Sequence, residues 1–175
     1  MYEIRKGRPY RYITLFFVVL VIFLMMRFIT GPCMVSGISM EDTLHNGDFL
    51  LSERTGYYFH DPQRFDVVEF YPGEDTSIQY IKRVIGLPGE TVQIDEEGKV
   101  YIDGEVLTEG YGKEPILDAG CASGDGVTLG EDEVFCLGDN RNNSLDSRFI
   151  GPVKISQIYG HPYFRLYPFS KIGRI

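Results

Sequence analysis

Two segments of the sequence hold residues that could perform nucleophilic catalysis. Ser39 lies in a glycine-containing run over 36–40, and serine becomes an effective nucleophile only when a base removes its proton. Lys82 lies in the run 79–85, where apolar residues occupy both alternating sets, and this pattern predicts a strand buried on both faces. Burial disfavours the ammonium form and lowers the pKa of a lysine, so Lys82 could supply that base near neutral pH. Taken alone, each segment is more often an ordinary turn serine or a structural lysine.

A third segment is a dense polar run over 137–148 that directly follows an apolar run. If the chain is extended from Ser144, then Ser144, Asp146 and Arg148 share one face, and the acid can pair with the arginine. The alternative is a solvated turn.

The spacing of the histidines and cysteines gives little support for a metal site or a catalytic thiol. The three histidines have no triad spacing, and the three cysteines have no C-x-x-C spacing for zinc. The residue pattern therefore predicts no metal and no cofactor.

The three segments together give a family resemblance. Residues 36–44, 80–90 and 138–148 resemble, in the same order and spacing, the nucleophile, lysine and C-terminal motifs of bacterial type I signal peptidases. The resemblance extends over about residues 5 to 165, and all three motifs in order are very specific. It implies a serine endopeptidase that cleaves signal peptides from secreted preproteins after small-x-small sites.

The resemblance also implies a role for each matching residue. Ser39 would attack the scissile carbonyl, Lys82 would take its proton and return it to the leaving amine, and Ser144 would orient the lysine amine. A supporting ion-pair group is implied at three further positions: Arg83, Asp146 and Arg148. The backbone N–H of Ser39 would stabilise the oxyanion, a contribution of about 3–4 kcal/mol for one such donor.

The family binds its substrate as an added strand, with small pockets for small side chains. The residues predicted to line these pockets, or to contact lipid, are Met34, Val35, Ile38 and Tyr80. The sequence departs from the family motif twice. Asp42 stands where proline is common, and Gly37 stands where some members have a serine that joins the oxyanion hole, which leaves the second donor open.

The elements that must position these residues begin with an apolar stretch over 12–29, whose one charged residue is Arg27. As a helix this stretch rises about 27 Å, close to the roughly 30 Å hydrocarbon core of a bilayer. It lacks the small-x-small site of a cleaved signal peptide. We therefore predict an uncleaved single-pass anchor over 12–30. The basic residues before it place the tail 1–11 in the cytoplasm and residues 31–175 outside.

After the anchor, short apolar runs separated by turn residues predict a mainly β, antiparallel sheet or barrel. The runs cover 49–51, 66–71, 79–85, 91–94, 99–102, 105–107, 134–137 and 163–166. Asp103-Gly104 is a strong hairpin signal. The region of about 91–130 is predicted to form a small inserted lobe or loop.

Charge excludes a nucleic-acid binder, because the whole chain carries −8 and a phosphate-binding face must be basic. Residues 1–27 carry +4, and the remainder carries −12. The predicted partners are signal-peptide-bearing preproteins and the lipid bilayer. On the outer side Cys121 and Cys136 could form a disulfide, with free thiols as the equal alternative.

Three alternatives stay open at this point. Another serine–lysine protease could be self-cleaving, which the anchor disfavours, or could mature a single dedicated substrate such as a pilus protein. A membrane-tethered β domain that only binds peptides would have no need of all three motifs.

Overall fold

The protein is described by a computed structural model that covers residues 8–73, 75–112 and 114–175, with side chains left undescribed at 8, 9 and 25–28. Most of the tail predicted over 1–11 lies outside the described residues. The two α-helices are α1 (Arg8–Ile29) and α2 (Ser147–Ile150). The described strands are β1 (Thr30–Met34), β2 (Phe49–Glu53), β3 (Val67–Phe70), β4 (Tyr80–Gly86), β5 (Thr91–Ile94), β6 (Val100–Ile102), β7 (Glu105–Val106), β8 (Val127–Thr128), β9 (Glu133–Leu137), β10 (Val153–Lys154), β11 (Ile158–Tyr167) and β12 (Gly173–Arg174).

The N-terminal helix α1 leads into the sheet without a linker, since it ends at Ile29 and β1 begins at Thr30. Nearly all of its described apolar side chains are exposed, with Leu20 partly buried, and Phe16 and Phe23 are each more than 60% exposed. In the described part of the chain, none of the helices combines the length and the apolar character needed to cross a membrane.

The strands confirm a mainly β, antiparallel architecture. The larger sheet has the order β1-β2-β11-β3-β4-β9-β10, with β12 paired to β11, and every pairing is antiparallel. Strand β11 comes late in the chain but lies between β2 and β3. The segment around Ser39 and the strand that carries Lys82 therefore belong to two parts of the sheet that β11 joins.

The large sheet curls, because β1 and β4 lie four strands apart in its order and nevertheless line one cleft. Beneath the Ser39 segment a core cluster is formed by Val35, Met40, Leu44, Leu50 and Val67. Packing within this cluster holds the segment between β1 and β2 against the large sheet.

A smaller sheet follows β4 in the chain and has the order β7-β6-β5-β8. The predicted hairpin between β6 and β7 is confirmed, since Asp103 and Gly104 have φ of 52° and 83°, as a tight hairpin turn requires. Its core residue Val92 packs in one cluster with Ile85 and Leu137 of the large sheet, so the two sheets share a hydrophobic core.

Candidate active site

Ser39 lies at the start of a short helical turn directly after the bend at Gly37. Gly37 has φ of 101°, a value that favours glycine, and its N–H donates to Asn46 Oδ1 over 3.0 Å. Met40 and Leu44, joined by a backbone bond of 2.8 Å, are buried and hold the turn in the core. The hydroxyl of Ser39 therefore sits on a fixed backbone at the edge of the cleft.

Lys82 is placed beside Ser39 by strand β4. Its Nζ donates to Ser39 Oγ over 2.7 Å and to the Ile81 carbonyl over 3.2 Å. The residue is 4% exposed, and the strand is buried continuously from Lys82 to Gly86, which confirms the predicted burial on both faces. The structure thus brings together two residues that lie 43 positions apart in the chain.

Burial changes the acid–base behaviour of this lysine. Loss of water lowers the pKa of Lys82 to about 8, although the nearby carboxylates of Asp146 and Asp139 favour its charged form. A minor fraction of the amine is consequently neutral near physiological pH, and this fraction grows as the pH approaches 8. A neutral amine 2.7 Å from a serine hydroxyl can accept the hydroxyl proton as the serine attacks a carbonyl.

The neighbour of Lys82 in the chain, Arg83, faces away from the cleft and forms a buried ion pair with Asp139. Arg83 Nε and Nη2 donate to the two carboxylate oxygens over 2.8 and 2.7 Å. The same carboxylate accepts a bond of 2.5 Å from Thr43 Oγ1, four residues after Ser39. Asp139 therefore links the lysine strand to the serine turn.

Asn140 adds two further bonds to the serine turn. Its backbone N–H donates to the Ser39 carbonyl over 3.0 Å, and its side-chain amide donates to the Ile38 carbonyl over 3.1 Å. The Ser39 N–H itself donates to no residue in the described part of the chain. It remains available for an oxyanion.

Asp146 and Arg148 form the ion pair that the sequence allowed, with two bonds of 2.8 Å. The predicted extended conformation, however, is wrong beyond Asp146. Asp146 caps α2 by accepting from the Arg148 N–H, so Arg148 reaches its partner from the first turn of a helix. The second oxygen of Asp146 accepts the Gly138 N–H over 3.0 Å, and this bond closes the loop 138–146.

Ser144 lies near the Ser39 carbonyl, on the other side of Gly138. Its hydroxyl oxygen is buried and has no hydrogen-bond partner among the residues that the structure describes. Gly138 leaves the necessary space, because any side chain there would overlap the Ser144 hydroxyl and the Ser39 carbonyl. The predicted contact of Ser144 with the lysine amine stays a prediction.

The cleft around Ser39 and Lys82 has a volume of about 1260 Å³. All four residues predicted to contact substrate line it: Met34, Val35, Ile38 and Tyr80. The Tyr80 ring lies 5.1 Å from Lys82 Nζ. Several lining residues escaped the sequence reasoning, namely Cys33, Tyr58, Phe59, Glu69, Asn143 and Leu145. An alternation of apolar and polar residues along β3 is the one signal that could have indicated Glu69. The sequence Val-Val-Glu-Phe has no such alternation, so it does not show which face of the strand borders the cleft.

The three cysteines all belong to the described residues, and all are free thiols. Of the two equal alternatives for Cys121 and Cys136, the structure shows the free thiols and not the disulfide. Cys136 is fully buried on β9, whereas Cys121 is exposed and its thiol donates to the Ser147 carbonyl over 3.2 Å. Burial raises the pKa of both thiols, so neither is an activated nucleophile.

Known proteins resemble this chain along most of its length. The sequence model of the family described as "Signal peptidase, peptidase S26" matches residues 10–167. A probable signal peptidase I-1 from Synechocystis is 40% identical over 171 residues, which cover 93% of this chain and 85% of that protein. The signal peptidase I of Bacillus licheniformis is 33% identical over 178 residues, covering 97% and 95%. A crystal structure of a signal peptidase I from Enterococcus faecalis has 35% identity and a TM-score of 0.47, covering 58% of this chain and 97% of that one.

Proposed function

Since the chain belongs to the signal peptidase family, peptidase S26, we propose that it is a serine endopeptidase that removes N-terminal signal peptides from preproteins after small-x-small sites. The observation that carries this proposal is the 2.7 Å bond between Ser39 Oγ and the amine of Lys82 in the wall of an open cleft. A serine protease needs a nucleophile and a base at this distance.

The proposed reaction uses the two side chains in turn. Ser39 Oγ attacks the carbonyl carbon before the scissile bond while the neutral amine of Lys82 accepts the hydroxyl proton. The resulting oxyanion accepts a hydrogen bond from the Ser39 N–H. The Lys82 ammonium then protonates the leaving amine. Water, deprotonated by the same lysine, hydrolyses the acyl-enzyme. Two buried ion pairs, Arg83–Asp139 and Asp146–Arg148, hold the serine turn and the lysine strand in place relative to each other.

Substrate recognition is proposed to use the edge of β1 that lies opposite β2. In the described sheet β1 pairs on one side with β2 and on the other side borders the cleft. An extended peptide can add to this edge with main-chain hydrogen bonds. The apolar residues Met34, Val35 and Ile38 then limit the size of the side chains that enter, and Ser144 is proposed to orient Lys82 once a substrate is bound.

Cleavage of a preprotein with Ala-x-Ala before the cut tests the proposed dyad. Ser39→Ala and Lys82→Ala are each expected to abolish cleavage, because the nucleophile or its base is gone, while circular dichroism remains that of a folded protein. The matched controls are Ser170→Ala and Lys171→Ala, at exposed positions near the C-terminus, which are expected to keep full activity. Cleavage at the normal rate by either dyad variant would refute the mechanism.

We also propose the membrane arrangement of a cytoplasmic tail 1–11, an anchor over 12–30 and an extracytoplasmic peptidase domain over 31–175, with a small β lobe over about 91–130. One support is the exposed apolar side chains of α1. A second is the charge distribution, because basic residues precede the apolar stretch and residues 28–175 carry a net charge of −12. Preproteins emerging from the membrane are the partners that this arrangement serves.

Protease added to the outer side of intact membranes tests this topology. We expect it to degrade the bulk of the chain, from about residue 31 onward, while a short N-terminal fragment is protected. Disruption of the membranes with detergent should then expose that fragment as well. Protection of the whole chain in intact membranes would contradict the proposed orientation.

A further inference from the structure

Two buried arginines near the candidate site are both contacted by one short segment of the small lobe. Arg83 belongs to β4, directly after Lys82, and Arg141 belongs to the loop that follows β9; each is 3% exposed. A guanidinium keeps its charge throughout the physiological pH range, so a buried arginine needs partners that offset the loss of water. The segment 107–112, which follows β7, supplies one partner to each arginine.

Glu109 is the partner of Arg141. The two terminal nitrogens of the guanidinium, Nη1 and Nη2, donate to the two carboxylate oxygens of Glu109 over 2.7 and 2.6 Å. Gly112 permits this close approach, because its φ is 61° and a side chain there would overlap the guanidinium. The remaining donor, Arg141 Nε, reaches the Gly138 carbonyl over 3.1 Å. Glu109 therefore fixes the orientation in which Arg141 holds Gly138.

Tyr111 is the partner of Arg83. The guanidinium carbon lies 3.4 Å from the centroid of the Tyr111 ring, so the face of the ring covers the cation. Phe65 borders the same ring, with 5.8 Å between the centroids, and its carbonyl accepts a bond of 2.8 Å from Arg83 Nη1. The stack keeps the guanidinium in the plane in which Nε and Nη2 reach Asp139.

Both arginines are connected to the turn that carries Ser39. The carboxylate of Asp139, held by the first arginine, accepts a bond from Thr43 Oγ1 in that turn. The carbonyl held by the second arginine belongs to Gly138, where a side chain would overlap the Ser39 carbonyl. Two contacts made by one segment thus support the nucleophile from two directions.

Resting on the proposed function, we propose that Glu109 and Tyr111 are positioning residues for the dyad, each acting through the arginine that it contacts. In the described part of the chain, no residue of 107–112 lines the cleft. The segment therefore has no direct contact with a substrate in the cleft, and loss of either partner should lower kcat while KM stays close to the wild-type value.

Glu109→Ala, assayed on the Ala-x-Ala preprotein, tests the first contact. Without the carboxylate, Arg141 turns toward other acceptors and releases the Gly138 carbonyl, so the Ser39 turn is displaced. We expect kcat to fall by about ten- to 100-fold, with KM within about twofold of wild type. Glu109→Gln keeps one acceptor oxygen and should lose less.

The double variant Glu109→Ala/Arg141→Ala tests the route of the effect. If the glutamate acts through the arginine, kcat of the double variant equals that of Arg141→Ala alone, because the first substitution has nothing further to remove. A kcat reduced by the product of the two single effects would contradict this route.

A pair of substitutions at Tyr111 tests the second contact. Tyr111→Phe keeps the ring face and should keep the wild-type kcat. Tyr111→Leu removes the ring face and should lower kcat by about five- to tenfold, because the guanidinium loses the stack that fixes its plane. Equal kcat values for the two variants would refute the positioning role of Tyr111.

Ile94→Ala separates positioning from stability. Ile94 is 2% exposed in the core that the two sheets share, and its truncation should lower the melting temperature at least as much as Glu109→Ala does. We expect the wild-type kcat for Ile94→Ala below its melting temperature. An equal loss of kcat in Ile94→Ala and Glu109→Ala would refute the positioning role.

The wild-type protein separates this inference from the proposed function. If it cleaves the preprotein and Glu109→Ala has the same kcat, the inference on Glu109 fails and the peptidase activity stands. If the wild-type protein does not cleave, both fail. Glu109→Gln and the two Tyr111 variants decide the matter even if Glu109→Ala does not fold.

Discussion

At the scale of single residues, Lys82 determines how the activity should depend on pH. In the folded protein the pKa of Lys82 is about 8. Below this pH the side chain is mostly an ammonium, which cannot accept a proton, and above it mostly a neutral amine, which can. Below pH 8 the competent fraction falls tenfold for each pH unit, and above it the fraction saturates. We therefore expect kcat/KM, measured from pH 6 to 10 on a substrate without titratable groups, to rise, to reach half of its limiting value near pH 8 and to level off above it.

Lys82→Arg provides the comparison for this profile. The guanidinium stays protonated across the whole range, so the variant is expected to be inactive at every pH although its charge is retained. A flat wild-type profile would contradict the assignment of Lys82 as the general base. So would a profile that still rises tenfold per pH unit at pH 9, as the ordinary lysine value of 10.5 would give.

Ser39 and Lys82 could be proposed from the sequence because the motifs that contain them are local. The hairpin turn and the burial of Lys82 follow from patterns a few residues long, and the structure confirms both. Asp139 as the partner of Arg83 was missed, since their contact depends on the pairing of β4 with β9. Glu69 was missed for a similar reason, because nothing in its own strand shows that the cleft lies on that side.

At the scale of elements, strand β1 shows why some structure could not be predicted. Its sequence, Thr-Gly-Pro-Cys-Met, contains two residues that usually disfavour strands. It is nevertheless a strand because it pairs on one side only, where an edge position tolerates the missing N–H of Pro32. The first half of β11, which contains Gly160 and Pro162, was missed in the same way. β8, β10 and β12, of two residues each, are too short to leave a pattern.

The loop between β9 and α2 depends on Gly138 for its contact with the serine turn. In Gly138→Ala the added methyl group would overlap the Ser144 hydroxyl and the Ser39 carbonyl, so the nucleophile must move. A displacement of about 1 Å can reduce catalysis by about 100-fold, and we expect a loss of this order in kcat/KM.

Gly110→Ala is the control for this prediction. Nothing lies within 4 Å of the position that a β-carbon would occupy there, so activity and melting temperature should remain close to wild type. Unchanged activity of Gly138→Ala would show that the loop does not constrain the position of Ser39.

At the scale of the whole molecule, β11 joins the two parts of the sheet that carry the candidate site. It pairs with β2, which follows the Ser39 segment, and with β3, which precedes the Lys82 strand. Removal of residues 158–175 should therefore abolish activity and cooperative thermal unfolding together, although Ser39 and Lys82 are both retained.

Removal of residues 172–175 alone is the matched truncation. It deletes β12 and keeps β11 and its pairings with β2 and β3, so we expect an active protein with a lower melting temperature. Activity in the longer truncation would show that the two halves of the site assemble without β11.

The place of β11 in the sheet also has a consequence for the timing of biosynthesis. Ser39 and Lys82 leave the ribosome early, but the strand that aligns them, β11, is completed only at Tyr167. Until β11 has emerged, the nascent protein contains both side chains but lacks the strand that joins their two parts of the sheet. The geometry of the candidate site is therefore acquired late in synthesis, well after its two central residues have been made.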